Sequence, residues 1–184
     1  LLGIDEQNPP IRLEVSQPVL DFYELEKIRN IDQYTDNKFR SFEIDVCYPV
    51  AWGNEAIEAR LHSLAAQAED AVRGGYSIII LSDRGTGPDR IPIPSLLATS
   101  AVHHHLIKQG LRTSVGLVVE SGEPREVHHF CCLAGYGAEA INPYLAFETL
   151  EQIRVTTGLK LSAYQVQKNF LKAVGKGIMK VMSK

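Results

Sequence analysis

The feature that most constrains this chain is a repeated alternation of short strand patterns with longer helical patterns. The run Tyr76–Leu81 shows it best, because its β-branched side chains make it apolar on both faces. A strand that is apolar on both faces is typical of the middle of a parallel sheet covered by helices. Repeated strand–helix units require crossover connections, which are right-handed. The sequence therefore predicts an α/β fold in which helices flank a parallel β-sheet.

Further strands and helices complete this pattern. The stretch Ser41–Tyr48 alternates apolar with polar residues, which predicts a strand with one polar face near a sheet edge. The other predicted strands are 115–119 and 140–141. From caps and apolar periodicity we expect helices at about 21–30, 54–73, 95–109, 127–133, 143–153 and from Ser162 almost to the end.

The chain divides into segments of different character. We expect an irregular leader at 1–16, which contains Asn8-Pro9-Pro10, an α/β core at 17–155 and a C-terminal helical extension at 156–184. The start, Leu1-Leu2-Gly3, has no Met and no signal-peptide pattern, which suggests a processed or excised piece. No stretch approaches the roughly 18 consecutive apolar residues of a membrane span.

Charge is divided unevenly along the chain. Residues 154–184 contain one arginine, six lysines and no acidic residue, which leaves 12 basic and 22 acidic residues in 1–153. A basic tail first suggests nucleic acid or a membrane as partner. However, Lys168–Lys184 has no arginine and a single aromatic, and we expect Gly175 and Gly177 to break its helix. We therefore expect no nucleic acid and no membrane, and favour a helix that leaves the domain and docks elsewhere.

Histidines form the first candidate site. His103-His104-His105 stands inside a predicted helix, where neighbouring side chains point about 100° apart. Zinc-binding helices use i, i+4 pairs, but Ile107 and Gln109 occupy those positions. The pair His128-His129 opens another predicted helix. We expect hydrogen-bonded histidines at helix–sheet or domain contacts, with a metal site or acid–base catalysis as alternatives, and an exposed His62.

The second candidate site is the loop 83–90, which follows the central strand at the edge where open α/β sheets bind ligands. Its Gly85-Thr86-Gly87 has neither the third glycine of a dinucleotide fingerprint nor a following Gly-Lys-Ser/Thr. We expect Asp83 and Arg84 to pair and fix the loop, or to meet another domain. Ser121-Gly122 lacks a nucleophile elbow and an evident base. We therefore assign no catalytic residue, no cofactor-binding residue and no metal ligand.

The chain has three cysteines, Cys47, Cys131 and Cys132, which cannot pair completely. Adjacent cysteines rarely bridge each other, and no CxxC motif supports a redox role. We expect free, buried thiols and a reducing, intracellular compartment.

Several continuous strings carry a family resemblance. They are Ile-Pro-Ser-Leu-Leu-Ala (93–98), Ala-Val-His-His-His-Leu-Ile (101–107), Gly-Leu-Arg-Thr (110–113), the whole of 115–130, Gly-Tyr-Gly (135–137), Ile-Asn-Pro-Tyr-Leu-Ala-Phe-Glu-Thr (141–149) and 172–184. Together they resemble the large subunit of glutamate synthase, and the last resembles the segment that enters that family's FMN domain. The similarity runs from about Gln17 to Lys184. Cys131-Cys132, where small apolar residues are expected, and the variable loop at 85–90 depart from the family pattern.

The resemblance implies an enzyme that makes two glutamates reductively from glutamine and 2-oxoglutarate. Such enzymes join a glutaminase domain, a central α/β domain, an FMN and iron–sulfur synthase barrel and a C-terminal β-helix. This chain resembles the C-terminal half of the central domain, whose family role is connection and packing, including part of the ammonia route. The resemblance thus implies the glutaminase and FMN domains of one polypeptide as partners, no cofactor in this chain, and a cytoplasmic or plastid-stroma location.

Two main hypotheses follow. The first is a connecting central domain without catalytic residues, inactive when isolated, whose segment 156–184 leads toward an FMN domain. The alternative is a stand-alone small-molecule enzyme that uses the 83–90 loop with His103–His105 or His128-His129. A third is a nucleic-acid or membrane module that acts through the basic tail.

Overall fold

The computed structural model describes residues 12–184, so the Asn8-Pro9-Pro10 motif of the leader lies outside the described residues. The helices are α1 (Phe22–Arg29), α2 (Ile31–Tyr34), α3 (Ala56–Arg73), α4 (Ser95–Lys108), α5 (Val127–Gly135), α6 (Tyr144–Thr156) and α7 (Ala163–Met182). The strands are β1 (Ser41–Asp45), β2 (Cys47–Pro49), β3 (Ile78–Ser82), β4 (Arg90–Pro92), β5 (Gly116–Glu120) and β6 (Ala140–Asn142).

Strands β1, β3, β5 and β6 form one parallel sheet in that order. The register places Leu81 of β3 between Ile44 of β1 and Val119 of β5. Beyond β6, Val19 extends the sheet through a parallel bridge with Ile141. The predicted α/β fold with a parallel sheet is confirmed, and β1 lies at the sheet edge as expected.

The connecting helices share one face of this sheet. Each crossover moves one strand further in the same direction, and right-handed crossovers that progress in one direction place their helices on one side. On this face Ile79, Leu117 and Val119 are fully buried or nearly so. The helices cover them with the buried side chains of Leu64, Ala68, Ala98, Val102, Leu106, Phe130 and Leu133.

The opposite face has a thinner cover. Leu25 and Ile28 of α1 and Ile31 of α2 pack there on a strip formed by Ile78, Ile80, Val118 and Ala140. The N-terminal capping box of α1, between Asp21 and Glu24, forms as the sequence predicts. Because α1 and α2 are short, a cavity of about 670 Å³ opens beside them at the amino ends of the strands.

The single strand predicted at 41–48 is two strands in different sheets, so its predicted extent is wrong. β1 ends at Asp45, whose carboxylate accepts a hydrogen bond from the backbone N–H of Cys47 at 2.8 Å. This contact turns the chain, and β2 then pairs antiparallel with β4. The sequence indicated only a loop at β4, because three mostly exposed residues carry no periodicity.

Helix α7 is continuous over its full length, so the prediction that Gly175 and Gly177 break it is wrong. The predicted capping box at Ser162 is present. Leu171, Val174 and Ile178 are buried in the same apolar cluster as α5 and α6. The expectation that this helix leaves the domain is therefore also wrong over these turns, which pack on the α/β core.

The close approach of α7 to α5 explains one of these glycines. A Cβ atom on Gly177 would lie 2.3 Å from Cγ2 of Val127. Glycine at this position lets the two helix backbones pack together, at a modest cost in helix propensity. In residues 12–184, no helix is long and apolar enough to cross a bilayer.

Candidate functional site at the carboxyl edge of the sheet

Buried polar side chains follow the parallel strands where each strand ends. Ser82 and Asp83 close β3, Glu120 and Ser121 close β5, and Asn142 closes β6; each is at most 3% exposed. The carboxyl ends of parallel strands meet at one edge, which is where open α/β sheets bind ligands. This edge is therefore the candidate site by position, and its hydrogen bonds determine what it can do.

Glu120 is the charged centre of the edge. Its Oε2 accepts hydrogen bonds from Ser82 Oγ at 2.6 Å and from Arg29 Nη2 at 3.0 Å. Its Oε1 accepts one from Arg84 Nε at 3.2 Å. Two guanidinium groups and a hydroxyl thus satisfy both oxygens of this buried carboxylate. A charge compensated in this way has no free oxygen to present to a substrate.

The two arginines are themselves held by further carboxylates. Arg29 also pairs with Glu43 and Glu26, and Arg84 Nη1 donates to Glu148 Oε1 at 3.0 Å. Burial disfavours the charged form of Arg29, but the attraction of Glu120 and its other carboxylates outweighs this and raises the pKa of Arg29. Arg29 therefore stays charged near neutral pH.

Asp83 holds the turn that follows β5. Its carboxylate accepts hydrogen bonds from Ser121 Oγ at 2.6 Å and from the backbone N–H of Gly122 at 3.0 Å. The expected pairing of Asp83 with Arg84 is wrong, because the Asp83 oxygens face this turn while Arg84 faces Glu120. The Ser121 hydroxyl is fully engaged in the same turn, because it also accepts a hydrogen bond from the backbone N–H of Glu123.

Tyr144, at the start of α6, packs against Arg84 at the carboxyl edge. The guanidinium carbon of Arg84 lies 3.8 Å from the centroid of its ring, in cation–π geometry. Burial and the nearby Asp83 carboxylate raise the pKa of Tyr144 well above its usual value. Its phenol is therefore neutral and protonated under ordinary conditions, and it lacks the ionised form that a catalytic base would need.

The remainder of the 83–90 loop is exposed from Arg84 onward. Thr86 Oγ1 donates to the carbonyl of Asp83 at 2.6 Å, which closes the loop on itself. A Cβ on Gly85 would lie 2.8 Å from the Asp45 carboxylate, so this glycine permits a close backbone approach. The thiol of Cys47 lies beneath the loop, and burial raises its pKa. The Thr86–Asp83 hydrogen bond and the contacts with Asp45 and Cys47 hold the loop in place.

The three consecutive histidines have different partners, as predicted. His103 Nδ1 accepts from Arg112 Nε at 2.9 Å, His104 Nδ1 lies 2.8 Å from the carbonyl of Ser100, and His105 Nε2 lies 2.7 Å from Glu69 Oε2. Burial, followed by repulsion from Arg112, lowers the pKa of His103. The side chain of His62 is 81% exposed, also as predicted.

These histidines do not meet the 83–90 loop. They occupy the last turns of α4, and His103 binds Arg112, which donates to the carbonyls of Val115 and Gly137 just before β5 and β6. His103 therefore lies near the amino edge of the sheet, whereas the loop lies at the carboxyl edge. The alternative enzyme site that joins the loop to His103–His105 therefore has no geometric support.

Two guanidinium groups, those of Arg12 and Arg112, line the amino-edge cavity. The guanidinium of Arg112 already binds His103, two backbone carbonyls and the Glu139 carboxylate, the last at 2.8 Å. The remaining wall is largely apolar and includes Ile28, Phe39 and Ile78. The cavity thus combines apolar surface with the guanidinium of Arg12 and with an Arg112 whose hydrogen bonds are already made.

The second histidine pair caps α5. His129 Nδ1 accepts from the backbone N–H groups of Arg125 and Glu126, and His128 Nε2 lies 3.5 Å from Cys132 Sγ. All three cysteines are free; Cys47 is buried and the other two are half-buried. In the part of the chain that the structure describes, no group of three or more His, Cys, Asp or Glu side chains could hold a metal ion.

Sequence reasoning missed the residues that organise both edges. The sequence pattern could have identified Glu120 and Asn142 as candidate site residues, because each is polar and directly ends a buried strand. No sequence pattern identifies Arg29 or Arg112, because their partners are far away along the chain. Glu120 is 91 positions from Arg29, and Glu139 is 27 positions from Arg112. Their roles appear only when the fold brings these partners together.

Comparison with known proteins identifies relatives of the chain. The family model described as glutamate synthase central domain matches residues 2–184. The chain is 44% identical over 176 residues to the large chain of the NADPH glutamate synthase of Bacillus subtilis and covers 11% of that protein. It is 41% identical over 176 residues to the NADH glutamate synthase of Schizosaccharomyces pombe and covers 8% of it. In both comparisons 94% of this chain is covered.

A plant relative and more distant structures complete the comparison. The chloroplastic ferredoxin-dependent glutamate synthase of Spinacia oleracea is 41% identical over 180 residues, which span 91% of this chain and 11% of that protein. Among solved structures, the YdjI aldolase of Escherichia coli K12 is 14% identical, with a TM-score of 0.40, and covers 89% of this chain and 55% of that one. That likeness has no bearing on function. By its match over residues 2–184, the chain belongs to the glutamate synthase central domain family.

Proposed function

We propose that this chain is a non-catalytic connecting domain within a larger glutamate synthase. The whole enzyme would convert glutamine and 2-oxoglutarate into two glutamates, and its glutaminase and FMN domains would be the partners of this chain. The curated relatives support a larger polypeptide, since the chain spans only about a tenth of their length. The location of the enzyme would be the cytoplasm or the plastid stroma.

The observation that carries the proposal is that the buried carboxylates of the carboxyl edge are engaged by partners within the chain. In an enzyme of this fold class, ionisable groups at this edge would face a substrate. Here Glu120 is compensated by Arg29 and Arg84, and Asp83 holds Ser121 within a turn. The buried polar groups that could act chemically already serve the fold.

The cysteines and the carboxyl edge of this chain do not fit the cofactors of the whole enzyme. An iron–sulfur cluster needs several thiolates around one centre. Cys47 lies on β2, and the other two cysteines are neighbours on α5, where side chains diverge. An FMN phosphate would need free amides or cations, and the arginines of the carboxyl edge are already paired. FMN and the cluster would therefore be held by other domains.

The electron donor would also be set elsewhere. Relatives named for NADPH, NADH and ferredoxin match this chain at 44%, 41% and 41% identity. A segment that bound the donor would be expected to resemble one class more than the others. The similar identities support a connecting role that is common to all three classes.

An FMN titration of the 184-residue chain tests the proposal against the stand-alone enzyme. We expect no saturable quenching of flavin fluorescence and no flavin that co-elutes with the protein in gel filtration. A larger glutamate synthase that carries the chain serves as positive control. A yellow preparation with tight 1:1 flavin would contradict the proposal, since a bound cofactor would assign the chain its own chemistry.

A further inference from the structure

A cavity of about 360 Å³ lies between the start of α4 and the first turns of α5, beside the Ser121 turn of the carboxyl edge. Its wall includes Leu96, Pro124 and Leu133, and Cys132 and His128 face into it. Cys132 Sγ is 3.5 Å from His128 Nε2, one helical turn away on the same face of α5. The cavity thus has an apolar wall and a thiol–imidazole pair.

The neighbouring thiols provide an internal comparison. Cys131 points away from this cavity and packs against the apolar cluster that contains Phe130. Cys47 is 2% exposed, and its sulfur contacts the Asp83 carbonyl and the Thr86 hydroxyl. Only one of the three cysteines therefore combines an imidazole partner with an open cavity.

We propose that Cys132, with His128 as its proton acceptor, is a thiol–disulfide exchange site for small neutral or cationic disulfides. The thiolate is the nucleophile in such reactions, and an adjacent imidazole can take the thiol proton. Cys132 Sγ attacks one sulfur of the disulfide R–S–S–R, the S–S bond breaks, and a Cys132–S–S–R mixed disulfide forms. The released R–S⁻ takes up the proton held by His128 and leaves as R–SH.

The surroundings set the charge preference. Glu123 is the one carboxylate that lines the cavity, and it is fixed there by hydrogen bonds from the N–H and hydroxyl of Ser95. An anionic disulfide would be repelled by this carboxylate, whereas a cationic one would be attracted.

The test compares two variants of the full 184-residue chain, each of which lacks one cysteine. The variant Cys131→Ser keeps the thiol beside His128, and Cys132→Ser keeps the thiol that packs on the apolar cluster. Both retain the buried Cys47, whose labelling reports unfolding. Each is incubated with cystamine, a cationic disulfide, and adducts are counted by intact mass and located by peptide mapping. We expect Cys131→Ser to react at least about tenfold faster than Cys132→Ser.

A second pair of measurements separates the imidazole and charge effects. In the Cys131→Ser background, His128→Gln should lower the cystamine rate about tenfold while Cys47 stays unlabelled. Oxidised glutathione, which is anionic, should react more slowly than cystamine with the Cys131→Ser variant. Equal rates for the two cysteine variants, or no effect of His128→Gln, would overturn the proposal. If His128→Gln unfolds, the comparison of the two cysteine variants decides alone.

Discussion

Buried carboxylates in this protein are compensated within a few ångströms, and this compensation defines the carboxyl edge. Glu120 meets Arg29 and Arg84 at 3.0 and 3.2 Å, and Asp83 accepts from Ser121 and Gly122. Removing one partner of a buried ion pair leaves the other charge in a poorly solvated place. The edge should therefore respond strongly to mutation in stability, without a matching role in chemistry.

The change Glu120→Gln tests this compensation. It should lower the free energy of unfolding by about 2–4 kcal/mol, because two guanidinium groups would lose their shared buried anion. The matched control is Glu148→Gln, which removes a half-exposed carboxylate from the same Arg84 and should cost at most about 0.5 kcal/mol. Urea denaturation monitored by circular dichroism measures both. Similar small losses for the two variants would show that the Glu120 network contributes little.

How far the sequence predicts the site depends on the range of its contacts. The polar residues that end buried strands, such as Asp83, were recognisable from the strand pattern alone. The partner of Asp83 was not, because Ser121 comes from another strand 38 positions away. Helix geometry predicted that His103, His104 and His105 do not converge, and each has its own partner.

At the scale of elements, long apolar patterns predicted the fold well and short or glycine-containing ones did not. The buried run in β3 and the apolar stripe of α3 appear close to their predicted places. β4 was missed, because its three residues are held by pairing with β2 and show no pattern of their own. α7 was misinterpreted, because glycine lowers helix propensity while packing against α5 outweighs that cost.

The two glycines of α7 give a matched pair of predictions. Gly177→Ala should destabilise the protein by about 1–3 kcal/mol, because the new methyl group would overlap Val127, a β-branched side chain with little freedom to move. Gly175→Ala should be neutral or stabilise it by up to about 1 kcal/mol, because a Cβ there meets only Gln17 Oε1 at 3.6 Å and alanine favours the helix.

Thermal unfolding followed by circular dichroism separates the two alanine variants. A melting temperature that falls for Gly177→Ala and stays or rises for Gly175→Ala would support close packing of α7 on α5. Equal effects of the two substitutions would contradict that packing.

At the scale of the whole molecule, the fold and the family point to one account. The crossovers from β1 to β6 progress in one direction, so α3, α4 and α5 cover one face of the sheet, while the short α1 and α2 cover the other. The polar carboxyl edge, where such folds bind ligands, is closed by its own ion pairs. This closure is the basis of the proposed connecting role.

The most direct test of this account is steady-state kinetics of a glutamate synthase that carries this chain with Ser121→Ala. Ser121 is the carboxyl-edge residue considered above as a nucleophile. Its hydroxyl donates a hydrogen bond to the buried Asp83 carboxylate at 2.6 Å. If the domain is non-catalytic, kcat and kcat/KM for glutamine and 2-oxoglutarate should stay within about twofold of the parent enzyme. Stability should fall by about 1–2 kcal/mol, because the Asp83 carboxylate loses a donor. A loss of about a hundredfold or more in kcat with the domain still folded would contradict the account.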